Sequence, residues 1–128
     1  MMTEQDERFL NAPSAIRLRA GLNLAKRWSL GPEQVIIMLA LTEDQSQRLG
    51  DTDVLADTLR PDQIERLDLL LSIHASLKTL FTEDERVYGW MRKPNGAFGG
   101  ISAIDVCLRD GKKGIEAVQS YLAAIVAG

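Results

Sequence analysis

The stretch Asp62-Gln63-Ile64-Glu65-Arg66-Leu67-Asp68-Leu69-Leu70-Leu71-Ser72-Ile73-His74-Ala75-Ser76-Leu77-Lys78-Thr79-Leu80-Phe81 is the strongest helical signal in the chain. Leu67, Leu70, His74, Leu77 and Phe81 gather on one side. Glu65, Asp68, Ser72, Ser76 and Thr79 gather on the other. At about 100° per residue, His74 falls within roughly 40° of Leu67, Leu70 and Phe81. The spacing predicts one long amphipathic helix over 62–81, with the histidine inside its apolar stripe.

Downstream, Thr82 before Glu83, Asp84 and Glu85 reads as a capped helix start, because carboxylates favour the positive end of the helix dipole. That helix runs through Val87, Tyr88 and Trp90 and has to stop before Pro94. Lys93-Pro94-Asn95-Gly96 is a turn, and Phe98-Gly99-Gly100 adds a bend. Ser102 caps a further helix, paired with Asp105 three residues on, and Ile104, Val106, Cys107 and Leu108 form its apolar face. Gly111 ends it. A last helix from Gly114 to about Ala127 repeats Ile115, Val118, Leu122 and Ile125 at spacings of three and four, a narrow seam.

Upstream, residues 1–13 read as a mobile arm. Ser14 is the expected N-cap of a helix that carries Ile16, Leu18, Leu22, Leu24, Ala25 and Trp28 and stops near Ser29-Leu30-Gly31. Pro32 opens a second helix, in which Val35 to Leu39 is apolar nearly all round and is expected to be deeply buried. Thr42 caps a short third helix with Glu43 and Asp44 in its first turn and Gly50 at its end. Residues 51–60 are a polar connection with a helical piece near Val54–Leu59. No strand-like alternation occurs anywhere. The fold class is therefore all-α, divided into an N-terminal module over 14–81 and a C-terminal one over 82–128.

The chain has 128 residues, 15 Lys and Arg against 18 Asp and Glu, and 45% hydrophobic residues. That composition excludes wholesale disorder and a strongly basic nucleic-acid wrapper. One cysteine, Cys107, excludes a disulfide framework and a cysteine-based zinc site; one histidine, His74, excludes a multi-histidine metal site. Neither residue sits where a nucleophile or base needs to be, since each is flanked by apolar helix positions. Paired carboxylates occur as helix-start acids, Glu83-Asp84-Glu85. Gly99-Gly100 lacks the strand and helix of a phosphate loop. We expect no enzyme, no cofactor and no metal, in a cytoplasmic protein without a membrane segment.

Residues 31–50 have the organisation of a helix-turn-helix: a buried helix, a sharp turn at Ala40-Leu41, then a short helix opened by Thr42. In a DNA-reading role Thr42, Gln45, Gln47 and Arg48 are the candidate contacts. From Gly31 to Arg60, however, the acids Glu33, Glu43, Asp44, Asp51, Asp53 and Asp57 face only two bases, Arg48 and Arg60. That balance repels phosphate. The C-terminus says more. From Ala117 to Gly128 no side chain is charged, and the face around Tyr121, Ala124 and Val126 exceeds what one seam can cover, which calls for a protein partner.

The run Trp90-Met91-Arg92-Lys93-Pro94-Asn95-Gly96-Ala97-Phe98-Gly99-Gly100-Ile101-Ser102-Ala103-Ile104-Asp105, with Gly111, Val118 and Leu122, resembles the toxin-binding domain of the Xre/MbcA/ParS antitoxins. These are the antitoxins of type II pairs whose toxins carry the RES domain. Leu24-Ala25-Lys26-Arg27-Trp28 and the turn Leu39-Ala40-Leu41-Thr42 are similar to the family's Xre-like helix-turn-helix. Two features depart from its pattern: Ala103 stands where many relatives have proline, and the recognition helix is acidic. The resemblance implies a cognate RES-domain toxin as partner, a homodimer formed through the N-terminal module, and binding to promoter DNA. It implies a toxin-binding set of Trp90, Pro94, Asn95, Gly99, Gly100, Tyr121, Leu122, Ile125, Val126 and Gly128. The reading that competes with it is a stand-alone helix-turn-helix DNA-binding regulator.

Overall fold

Pro61 fixes the first turn of the long helix, which spans Pro61–Leu80 and at 1.5 Å per residue is about 30 Å long. In the computed structural model, which describes residues 13–128, it is the central element, with the helices Ser14–Arg27, Pro32–Leu39, Asp84–Gly89 and Lys112–Ala127 packed directly on it. In chain order the helices are α1 (Ser14–Arg27), α2 (Pro32–Leu39), α3 (Glu43–Ser46), α4 (Thr52–Ala56), α5 (Pro61–Leu80), α6 (Asp84–Gly89), α7 (Ala103–Asp110) and α8 (Lys112–Ala127). Two 3₁₀ turns, Trp90–Arg92 and Gly96–Phe98, lie between α6 and α7. The fold is all-α. Among the described residues the sole β feature is an isolated bridge between Pro94 and Ser102. The arm expected over residues 1–13 lies, but for Pro13, outside the described residues.

The most extensive helix contact joins α5 to α8, across the boundary expected between the two modules. Lys112 pairs with Glu65, and Gln119 donates to Ser72 Oγ at 3.3 Å. Both pairs are 47 residues apart in sequence, so α5 and α8 run parallel in constant register. α7 lies across α8. A Cβ at Gly114 would stand 2.4 Å from the Val106 carbonyl oxygen, so a side chain there would force the two helices apart. α1 covers another part of α5, where Arg17 pairs with Asp68 at 3.2 Å. The fully buried side chains, among them Leu18, Trp28, Leu67, Leu77, Met91, Ile104, Ile115 and Leu122, come from both ends of the chain and form one core.

Several local expectations change. Ser14 is the first residue of α1, whose N-cap is Pro13 without a side-chain bond. Thr82 caps nothing; α6 starts at Asp84 after Glu83, and the expected single helix to Lys93 instead becomes α6 and a 3₁₀ turn. α2 is not buried all round. Val35, Met38 and Leu39 face the core, while Ile37 is 51% exposed, because one short helix on one surface can bury only one face. The buried stripe of α5 is Gln63, Leu67, Leu70, Ile73 and Leu77. Ile73 takes the central place assigned to His74, which is half-buried at the edge. The caps at Thr42 and Ser102 form as expected: each hydroxyl accepts from the backbone N–H three residues on, at 3.1 Å.

Candidate functional site

The loop between α6 and α7 is closed by its own backbone. Asn95 N donates to Ile101 O at 3.1 Å, Gly100 N donates to Asn95 O at 2.9 Å, and Ala97 N donates to Asn95 Oδ1 at 2.9 Å. Gly99 and Gly100 take φ values of 72° and 91°, a region that side chains with a Cβ disfavour. Asn95, Gly99 and Gly100 therefore shape the loop, and Pro94 pins it by its bridge to Ser102. What the loop holds is an aromatic cluster. Trp90 lies 6.2 Å from Tyr121 with rings nearly parallel, Phe98 meets Tyr121 edge-on at 5.3 Å, and Trp90 meets Phe98 at 6.3 Å. These are favourable aromatic geometries. All three rings are half-buried, so the cluster is also part of the surface.

α8 changes character beside this cluster. Ile115, Val118 and Leu122 are fully buried, whereas Ile125 is 45% and Val126 41% exposed. The seam expected to include Ile125 stops at Leu122. Leu122 therefore belongs to the core and presents no side chain to a partner, which corrects its place in the toxin-binding set. Tyr121, Ile125 and Val126 remain on the accessible side, and Gly128 is exposed at the end of the helix. Phe98 is a member of the site that the set omitted. Its signal was its place between Asn95 and Gly99-Gly100, in a loop too short to bury it alone.

The DNA-reading set separates in the same way. Thr42, Gln47 and Arg48 are exposed. Gln45 is not available to read a base: it is 5% exposed and bonded on every side. Its Nε2 donates to Gln63 Oε1 at 3.0 Å and to Thr58 O at 3.1 Å. Its Oε1 accepts from Thr42 N at 3.0 Å and from Gln63 Nε2 at 2.7 Å. Gln63 in turn accepts from Arg60 N at 2.9 Å and donates to Ala40 O at 3.0 Å. Two amides, each capping its own helix start, thus face each other and lock α3 to α5. Thr42-x-x-Gln45 is the capping-box pattern that could have revealed it.

His74 and Cys107 are placed structurally. His74 Nε2 is 3.2 Å from Tyr88 Oη, the two rings stack at 5.5 Å, and Arg27 lies 4.0 Å over the Tyr88 ring. Burial lowers the His74 pKa, and the nearby Lys78 and Arg27 charges add to the effect, so the ring is neutral at pH 7. Burial pushes the Cys107 thiol up to about 12, which leaves no thiolate to react. A groove of about 440 Å³ between α1 and α2 has Leu22, Leu30, Val35 and Leu49 in its lining with Arg19 and Lys26, but no paired nucleophile and base. Among the described residues no group of three or more His, Cys, Asp or Glu is placed to hold a metal ion. No described helix is long and apolar enough to cross a membrane.

Residues 76–128, from the last turn of α5 to the end of α8, match the family described as the antitoxin Xre/MbcA/ParS C-terminal toxin-binding domain. The chain is also 36% identical over 111 residues to "Uncharacterized protein y4oB" of Sinorhizobium fredii (strain NBRC 101917 / NGR234). The overlap covers 84% of this chain and 81% of that protein. No solved structure matches. The loop, the aromatic cluster and α8 with its uncharged end are thus parts of a toxin-binding domain, and the partner is a toxin. The C-terminal domain of the chain belongs to the Xre/MbcA/ParS antitoxin family.

Proposed function

We propose that this chain neutralises a RES-domain toxin, one that degrades NAD or transfers ADP-ribose from it, as the antitoxin of a type II pair in the cytoplasm. It acts by binding, not by catalysis. The contact is made by the Trp90–Phe98–Tyr121 cluster and the exposed end of α8, which covers the entrance to the toxin's active site. The observation that carries this reading is the break within α8, where three fully buried side chains give way to exposed Ile125 and Val126 in a stretch without charge. Apolar surface of that kind gains most by burial in a partner.

In the same proposal residues 14–81 form the dimerisation module and 82–128 the toxin-binding one. Exposed Ile16, Ile37 and Val54, all in the N-terminal segment, favour a second copy there. Binding to promoter DNA, the competing function or a second role, rests on Thr42, Gln47 and Arg48 without Gln45.

The test is co-expression with the RES-domain protein of a neighbouring gene, read as growth rescue and as NAD content. Val126→Asp places an ion in the contact and weakens binding by roughly 2–5 kcal/mol. Rescue is expected to fail while the helical circular dichroism of the purified variant is unchanged. Full protection by the folded variant overturns the reading. Deleting residues 117–128 is a poorer test, because Val118 and Leu122 leave the core with them.

A further inference from the structure

Arg92 ties the toxin-binding loop to the far end of the chain. Its Nε donates to Trp28 O at 2.8 Å and its Nη2 to Ser29 O at 2.5 Å, across more than sixty residues of sequence. Both carbonyls lie where α1 ends: Trp28 is its C-cap, and Ser29 turns the chain at φ 60°. Carbonyls at a helix C-terminus lack intrahelical donors and carry the negative end of the helix dipole, so a guanidinium fork is a strong match for them. Arg92 is also the last residue of the 3₁₀ turn Trp90–Arg92. Met91 in that turn is fully buried, and Trp90 stands against Tyr121 and Phe98. A three-residue turn held at one end by the fork and in the middle by Met91 leaves Trp90 little freedom to rotate away from the cluster.

We infer that Arg92 is a positioning residue for toxin binding, one that touches no toxin and sets affinity by fixing Trp90 against Tyr121 from the C-terminal end of α1. The inference rests on the proposed binding surface. It adds that the affinity of that surface is set partly by the N-terminal segment, through two backbone carbonyls. Arg27 strengthens the same junction, stacking on Tyr88 and pairing with Asp84 at 3.8 Å.

Two measurements decide it. The first needs no toxin. With 5-fluorotryptophan in place of the chain's two tryptophans, Trp90→Phe assigns the fluorine resonances. Arg92→Met, which keeps the stem and loses the fork, is expected to broaden or shift the Trp90 signal, and Arg92→Lys to restore it in part. A Trp90 signal unchanged in the folded Met variant overturns the inference, whatever the toxin proves to be.

The second is a double-mutant cycle against the purified RES-domain protein. Arg92→Met is expected to weaken binding about tenfold, and to have little further effect once Trp90→Ala is present, because the two act as one unit. Equal losses in both backgrounds assign Arg92 a direct contact and overturn the positioning role. If the wild-type chain does not bind that protein, the proposed function fails while the fluorine measurement still judges Arg92. If Arg92→Met does not fold, Arg92→Lys takes its place in both measurements, with the same outcomes read.

Discussion

The two halves of α8 differ in how far they are buried. From Lys112 to Leu122 the helix is fold: Gly114 lets α7 cross closely, and Ile115, Val118 and Leu122 are fully buried. From Ala123 to Gly128 it is surface: Ile125 and Val126 stand half-exposed, although they are as apolar as the residues before them. The charges of α8, Lys112, Lys113 and Glu116, all lie in its first half. The two helices run parallel with a register of 47, so Leu80, the last residue of α5, stands opposite Ala127 and α5 accompanies α8 to its end; even so, Ile125, the next step of the seam after Leu122, is 45% exposed. Ile125 and Val126 carry the apolar content past the last buried position, and they are the part proposed for the toxin contact.

The largest expected effect breaks the first half. Gly114→Ala drives a methyl group into the Val106 carbonyl, a rigid backbone atom, 2.4 Å away. It is expected to destabilise the chain by about 3–5 kcal/mol, read as the urea midpoint. Gly21→Ala is the control. Its Cβ would meet Leu67 Cδ2 at 2.5 Å, the end of a side chain that can turn, so the loss is expected to be smaller. Equal losses at the two positions sink the argument for a rigid crossing.

Next, Leu122→Ala and Val126→Ala sharpen the boundary itself. Leu122 is fully buried, so its truncation is expected to cost about 2–5 kcal/mol of stability. Val126 is 41% exposed, so its truncation is expected to stay within about 0.5 kcal/mol. In toxin binding the ranking reverses, with Val126→Ala the weaker binder among the folded variants. A Val126 variant as unstable as the Leu122 one means that the fold claims the end of the helix too.

How much of this was legible in the sequence depends on whether a residue's environment is set within its own helix. All eight helices, the stops near Ser29-Leu30-Gly31 and at Gly111 and the caps at Thr42 and Ser102 follow from local rules, and they stand close to where those rules put them. Three errors share a cause. His74 and Ile73 lie about 100° apart on the helical wheel, on either side of Leu70 and Leu77, and it is the packing of α1, α8 and α6 on α5 that decides which of them lies inside. Ile37 looked buried because α2 was read without knowing how few surfaces it meets. Gln45 looked like a base reader because its true partner, Gln63, lies 18 residues away. In the candidate site the uncharged end of α8 was legible, and so was the loop's need for Gly99 and Gly100. The boundary at Leu122 was not, since Ile125 continues the seam spacing and only its tertiary surroundings leave it 45% exposed.

A third prediction tests that paired amide. Gln63→Leu removes the partner of Gln45 and leaves Ala40 O and Arg60 N unpaired, at an expected cost of about 1–3 kcal/mol. Gln45→Ala is expected to cost a similar amount, and the double variant clearly less than the sum. Strict additivity in urea unfolding breaks the claim that the two act as one lock.

The smallest effect concerns Cys107 on α7, a buried residue of the core. It is fully buried, and its thiol is pushed up from 9.0 to about 12 by desolvation. The sign follows from proton counts. Between those two values the unfolded chain has given up the thiol proton while the folded chain keeps it, so the folded state binds more protons and stability falls as pH rises. The contribution is complete below about pH 9 and is lost progressively toward 12. At neutral pH a thiol-specific disulfide reagent is expected to leave the native chain unlabelled and to label one equivalent after denaturation. In urea titrations at pH 8 and pH 10.5, the stability advantage of wild type over Cys107→Ala is expected to shrink by on the order of 1 kcal/mol. The difference between the two proteins cancels the tyrosines and lysines that titrate in the same range. An advantage that grows with pH reverses the sign, and means that the thiolate is stabilised inside α7.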